Sequence, residues 1–165
     1  MTLIDKDTFC EQIKLHEKAM YFLASSLLQN DADAADVIGE AIFRAYENID
    51  SLKNEEAFKT WILKIIHNTA VEYIRKNTKI ILMYEIDVSD EGKEKKDIEV
   101  KMSLQRAVKS LKQPYRTVIL LHYYEDLSIN EISKVTGDTT IAVKQQLSRA
   151  RKQLREILKE DFGDE

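Results

Sequence analysis

Between Ser89 and Glu99 the chain reads SDEGKEKKDIE, and no other stretch narrows the choice of fold as much. Nearly every position is polar and Gly92 adds backbone freedom, so too little apolar surface is present to offset ordering the segment. The stretch predicts a flexible, acidic linker with roughly eighty residues before it and sixty-five after it, each near the lower size at which one core suffices. Just ahead of the linker, Ile80-Ile81-Leu82-Met83-Tyr84 is apolar, which suits a helix end or a short element docking on a partner. The boundaries that follow are 1–79 for a first domain, 80–99 for the linker and 100–165 for a second domain.

Both pieces read as all-α. Four glycines and one proline are too few to punctuate a sandwich or barrel, which needs many tight turns. In the first piece, Phe9, Ile13, His16, Met20, Leu23 and Leu27 recur at helical spacing and predict a helix over Phe9 to Leu28. A second helix is predicted from about Ala32 to Asn48. A third runs from about Glu55 to Asn77, with Phe58, Trp61, Ile62, Ile65, Ile66, Thr69 and Tyr73 as its buried stripe. The second piece predicts four helices: Ile98 to Leu111, Tyr115 to Tyr124 begun by Pro114, a short one opened by the capping box Ser128-Ile129-Asn130-Glu131, and a last one from Thr139 or Thr140 to about Lys159. Gly137 sits where the short helix would end in a left-handed cap.

No run of eighteen apolar residues occurs, so no membrane span is expected. The N-terminus MTLIDKDTFC lacks a basic-then-apolar leader, and the lone Cys10 supplies neither a disulfide framework nor a zinc cluster. A cytoplasmic location is the expectation. His16, His67 and His122 fall on separate predicted helices, and no phosphate loop, nucleophile elbow or metal-spaced cluster is present. Catalysis, a metal, a cofactor and a small-molecule substrate are therefore not expected.

The net charge of −4 would by itself discourage a nucleic-acid reading, but it averages unlike parts. Residues 1–77 carry nine Lys/Arg against thirteen Asp/Glu, residues 78–103 five against seven, and residues 104–165 eleven against nine. From Ala142 to Arg155 there are five cations and no acid, while Asp31 to Glu56 holds eight acids with only Arg44 and Lys53.

The short capped helix, the turn at Gly137 and the basic helix after it form a helix-turn-helix pattern. At 100° per residue, Leu147, Ala150, Leu154, Ile157 and Leu158 fall within about 60° of Val143 and form the buried face. Lys144, Gln145, Ser148, Arg149, Arg151, Lys152 and Arg155 occupy the opposite arc. Those near the N-terminal half are placed to reach base edges, and the later ones suit phosphates. A solvated basic face is the competing reading, and the absence of acids favours DNA.

Two further surfaces stand out. Asp33, Asp36, Glu40, Phe43 and Glu47 draw an acidic line with one aromatic in it, suited to a basic protein surface; a solvated face is the alternative, and an exposed Phe43 favours the interface. Along the third helix, Lys64, Asn68, Arg75 and Lys79 form a polar track that could follow a nucleic-acid backbone or simply be solvated.

Taken together, these pieces resemble bacterial RNA polymerase sigma factors of the extracytoplasmic-function (ECF) group, over almost the entire chain. DADAADVIGEAIFRAYENID looks like the family's second-region helix, and FKTWILKIIHNTAVEYIRK looks like its promoter-melting and minus-ten helix. SLKQPYRTVILLHYYEDLSINEISKVTGDTTIAVKQQLSRARKQLREIL is similar to the fourth-region helix-turn-helix.

The resemblance implies an alternative sigma factor that binds core RNA polymerase and directs transcription initiation at particular promoters. It implies polymerase contacts at Asp36 and Glu40, to which the acidic line adds Phe43, and minus-ten contacts at Asn68, Arg75 and Lys76, to which the polar track adds Lys64, with the loop from Asp50 to Ala57, Asn54 within it, capturing a flipped base. It implies minus-thirty-five contacts at Lys144, Gln145, Ser148 and Arg149, flanked by Arg151 and Lys152. Trp61 is expected in the core rather than as a base wedge. An anti-sigma protein, often membrane-anchored, is the further implied partner. The chain departs from the family's usual pattern at Ala35 and Gly39, which remove an acid and an amide from the polymerase-facing helix. It departs again at Ala142 and Gln146, beside the recognition positions. A stand-alone helix-turn-helix regulator is the second reading of the same residues.

Overall fold

The computed structural model describes residues 3–84 and 100–162, and among them every regular element is helical. The first half contains α1 (Lys6–Leu15), α2 (Glu17–Leu28), α3 (Asp31–Glu47) and α4 (Phe58–Tyr84). Short 3₁₀ turns at Ile49–Ser51 and Glu55–Ala57 join α3 to α4. The second half contains α5 (Val100–Ser110), α6 (Tyr115–Ile119), a π turn at Leu120–Tyr124, α7 (Ile129–Thr136) and α8 (Thr140–Phe162). The linker Ser89–Glu99 lies outside the described residues, as do the side chains of Lys79 and of the Ile80–Tyr84 run.

One difference from the expected helices lies at the N-terminus. The continuous helix anticipated over Phe9–Leu28 is broken at His16, whose backbone (φ −105°, ψ 14°) ends α1 and begins α2. The break lets both helices reach one aromatic centre. The His16 ring stacks on Phe58 at 5.9 Å, and Phe9 meets Phe58 edge-on at 5.9 Å and Tyr46 at 5.5 Å. Side-chain packing has overridden a periodicity that carries no break signal.

Around Phe58 the first-half core collects Met20, Leu23, Ala34, Val37, Ala41, Ile62, Leu63 and Ile66. Arg44 braces α3 to α4. Its guanidinium donates to Glu72 at 2.8 Å and to Glu40 at 3.0 Å. The same contact holds the Glu72 carboxylate down to about 2, from an ordinary 4.5, with Lys76 assisting. Gly39 is exposed on α3 and a Cβ there would meet nothing within 4 Å, so its helix cost of up to ~1 kcal/mol serves no packing need.

The helix-turn-helix forms as its local signals dictate. Ser128 and Glu131 close the reciprocal capping box, and Gly137 takes φ 82° at the C-cap of α7. Thr139 caps α8 by accepting from the Ala142 N–H at 3.1 Å. Asp138 then fixes the turn, accepting from Gln146 Nε2 at 3.0 Å. Ile132, Val135, Val143, Leu147 and Ala150 are buried between α7, α8 and the helices beneath them.

The two halves pack against each other, α6 and the π turn on α2, and α7 on α4. Gln113 Nε2 and Arg116 Nε donate to the Ser26 carbonyl at 3.0 and 2.6 Å. On the other side Lys59 Nζ donates to the Glu125 carbonyl at 2.9 Å and sits 3.4 Å from its carboxylate. Thr60 Oγ1 donates to Glu131 Oε2 at 3.4 Å.

Candidate nucleic-acid interface

The 3₁₀ turn before α4 begins the site. Asn54 is its N-cap, its side-chain oxygen accepting from the Ala57 N–H at 2.8 Å. Leu52 is buried beneath the loop and anchors it to the core. The loop thus stands off the start of α4 at a set angle and leaves an open cavity of about 870 Å³. Asn54, Trp61, Lys64 and Asn68 line it, with Ser51 and Thr69 among the polar groups beside them.

Trp61 is only half-buried. It packs on Phe58 at 5.4 Å between ring centroids, while its indole Nε1 donates to Ser51 Oγ at 2.9 Å. The expectation of a core tryptophan is met by only part of the ring; another part forms cavity wall. The reason is register. Ile62, Leu63, Ile66 and Ala70 fill the core line of α4, so Trp61 falls at its edge, beside the loop.

Of the five expected minus-ten residues, three come together at the cavity: Asn54, Lys64 and Asn68. Arg75 and Lys76 are exposed further along α4, outside the cavity, and Lys76 is engaged with Glu72 at 3.1 Å. Sequence reasoning had no access to two further wall residues, Glu131 and Lys134 of α7. They come from the other half of the chain, and only docking places them there.

The basic face of α8 stands as its angles predict. Lys144, Gln145, Ser148, Arg149, Arg151 and Lys152 are all exposed, opposite buried Val143, Leu147 and Ala150. Arg151 differs from its neighbours. It donates to the Tyr123 hydroxyl at 2.8 Å and lines an apolar groove with Leu104, Tyr123, Tyr124 and Leu154. That engagement turns it toward its own domain.

On α3 the acidic line divides. Asp36, Glu40, Phe43 and Glu47 are exposed, Phe43 at 59%. Asp33 is half-buried and accepts from the Tyr73 hydroxyl at 2.7 Å, which raises the Tyr73 pKa. Glu40 shares its charge with Arg44. An acidic surface carrying an unburied phenylalanine has the composition of a docking face for a basic partner.

Among the described residues no group of His, Cys, Asp and Glu is arranged to hold a metal, and no helix is long and apolar enough to cross a membrane.

Known proteins share this architecture and its sequence. Residues 13–80 match the model of sigma-70 region 2, and residues 101–154 match that of sigma-70 region 4. RNA polymerase sigma factor SigV of Bacillus subtilis is 36% identical over 149 residues, covering 90% of each chain. ECF RNA polymerase sigma factor SigW of the same organism is 31% identical over 172 residues, covering 94% of this chain and 91% of the relative. The fold also superimposes on the sigma factor RpoE of Bartonella quintana, solved in complex with the anti-sigma factor NepR. The TM-score is 0.75 at 22% identity, covering 92% of this chain and 97% of that one.

Proposed function

The chain belongs to the sigma-70 family of RNA polymerase sigma factors, in the ECF group, and from that premise we propose how its surfaces divide the work. It is an alternative sigma factor directing transcription, and sigma factors are transcription regulators rather than enzymes. A stand-alone helix-turn-helix regulator would not carry the region 2 half that residues 13–80 supply.

In this reading residues 1–79 bind core polymerase and the minus-ten element, 80–99 link, and 100–165 bind the minus-thirty-five element. Asp36, Glu40 and Phe43 on α3 dock on a basic surface of core polymerase. Asn54, Lys64 and Asn68 receive a base and backbone of the opened minus-ten strand in the cavity beside Trp61, and Arg75 and Lys76 follow the phosphates beyond it. Lys144, Gln145, Ser148 and Arg149 enter the major groove at the minus-thirty-five element, with Lys152 on phosphate and Arg151 held at the domain's own surface. Each half binds modestly alone, and tethering raises their joint affinity through effective concentration. An anti-sigma protein that covers these faces is the expected regulator, and one anchored in a membrane would hold this factor there; otherwise it works in the cytoplasm.

The observation carrying this reading is the cavity that gathers Asn54, Lys64 and Asn68 under a capped loop, on the half opposite the basic face of α8. Run-off transcription with purified core polymerase, followed by mapping of start sites, tests it. Start sites sharing two spaced elements are expected. Failure to associate with core polymerase, together with tight binding to a palindrome, would overturn it.

A further inference from the structure

Ile141 is 68% exposed in the first turn of α8. A single exposed aliphatic side chain is ordinary on a protein surface; the position of this one is not. At 100° per residue it lies about 160° from the buried Val143, between Ser148 at about 140° and Gln145 at about 200°. It therefore stands at the centre of the arc that carries Lys144, Ser148, Arg149 and Lys152, on the side of α8 opposite the core.

The first turn that holds it is pinned on both sides. Thr139 caps it, its hydroxyl accepting from the Ala142 N–H at 3.1 Å and its carbonyl from the Val143 N–H at 2.9 Å. Asp138, in the turn before, accepts from Gln146 at 3.0 Å. A helix N-terminus favours acids, as Asp31 and Asp33 of α3 and Glu131 of α7 illustrate, but the first turn of α8 has none. Thr140, Ile141 and Ala142 stand there instead. The leading end of a basic face is thus uncharged, with nothing to repel phosphate and one apolar projection.

An apolar side chain has one good partner in the major groove. Guanine presents N7 and O6, adenine N7 and an amino group, and cytosine an amino group; thymine alone adds a methyl group, at C5. Isoleucine against the other three would take water from a donor or acceptor and return no hydrogen bond. Against the methyl it buries carbon on carbon. The N-terminal residues of a recognition helix are the ones that reach base edges. Lys144, Gln145 and Ser148 follow one and two turns along the same face, where they meet the polar edges beside that methyl.

Resting on the reading that α8 enters the major groove of the minus-thirty-five element, we propose that Ile141 selects a thymine there by packing on its C5-methyl group. It is a specificity residue: it separates thymine from the other three bases at one position. No charge is involved, so this preference does not fade as salt rises, unlike the phosphate contacts of the same face.

Core polymerase loaded with full-length protein is used to select duplexes from a random-sequence DNA pool, and the retained sequences are compared for wild type and Ile141→Ala. Alanine is the better helix former and Ile141 lies outside the core, so the variant keeps its fold. The expected result is a thymine preference at one upstream position that Ile141→Ala loses while the other positions keep theirs. That thymine is then replaced by deoxyuridine, which pairs in the same way and lacks only the methyl. Wild type should bind the substituted duplex about fourfold more weakly, a loss of about 0.8 kcal/mol, the worth of one buried methyl group. Ile141→Ala should bind the two duplexes equally. A thymine preference that is absent or survives in Ile141→Ala, or a wild type indifferent to deoxyuridine, overturns the proposal and leaves the major-groove reading standing. Loss of every upstream preference in Ile141→Ala overturns it too, since the residue would then act on the whole helix. An upstream element with no base preference in wild type removes the major-groove reading and the proposal with it.

Discussion

Arg116 Nε and the Ser26 carbonyl oxygen lie 2.6 Å apart across ninety positions of sequence. The two residues belong to different halves of the chain, and their bond joins the start of one small helix to the C-terminal turn of another. Burial lowers the arginine's pKa, yet a guanidinium stays charged in a protein. The charge is met by the partial negative charges of α2 and α5 rather than by a carboxylate.

Replacing Arg116 by Ala should therefore destabilise the protein by about 2–4 kcal/mol, because buried carbonyls are left without a charged donor. Urea unfolding followed by circular dichroism would show the midpoint fall. Arg116→Lys should recover only part of the loss, since an ammonium cannot reproduce the planar fork. Equal stability of all three proteins would refute the assignment.

Lys144 and Arg149 project from the exposed face of α8. Lys144→Ala with Arg149→Ala should lower run-off transcription from promoters that depend on the upstream element, each base no longer read costing about 1–3 kcal/mol of discrimination. Any of the pair that holds phosphate should also flatten the salt dependence of binding, its slope falling by about 0.9 for each phosphate released. Transcript levels equal to wild type would count against both residues.

Asp36 and Phe43 are exposed on α3 and make no core contact. Asp36→Ala with Phe43→Ala should weaken association with core polymerase by about tenfold or more, as removal of an exposed aromatic anchor does at an interface. The unfolding free energy should stay within about 0.5 kcal/mol of wild type. Surface plasmon resonance against immobilised core enzyme measures the first and denaturant titration the second. Unchanged affinity removes this face from the polymerase contact.

Glu72 is held at about 2 in the folded protein against an ordinary 4.5. Its pKa is depressed, so between these values the unfolded chain binds more protons and stability rises with pH. The contribution is full above roughly pH 5 and disappears as pH falls through about 2. Glu72→Gln should remove this part of the acid dependence, flattening the stability profile between pH 5 and 2 in denaturant melts. An unchanged profile would show that the Arg44–Glu72 pair adds nothing in solution.

Much of the molecule could be read from local pattern. The capping box at Ser128 and Glu131, the left-handed Gly137 and the apolar line Val143, Leu147, Ala150 depend on residues within a turn or two of one another, and all three appear as expected. The exposed cations of α8 follow from the same angular bookkeeping. His16 escaped because a helix break made by packing on Phe58 leaves no glycine or proline behind. Trp61 escaped in part because a stripe read at 100° per residue does not distinguish the centre of a core from its edge.

The sequence by itself determined two helical units, the helix-turn-helix and the segregation of acid from base. Each rests on short-range periodicity or on residue types that recur at set spacings, and these are written along the chain. Only the tertiary structure decided that α7 lies on α4, that Glu131 and Lys134 wall the cavity, and that Arg116 meets Ser26. Those contacts join residues far apart in the chain, and the shortest of them joins a side chain to a backbone carbonyl. A carbonyl is the same at every position, so nothing in the order of residues marks which one an arginine ninety places away will find.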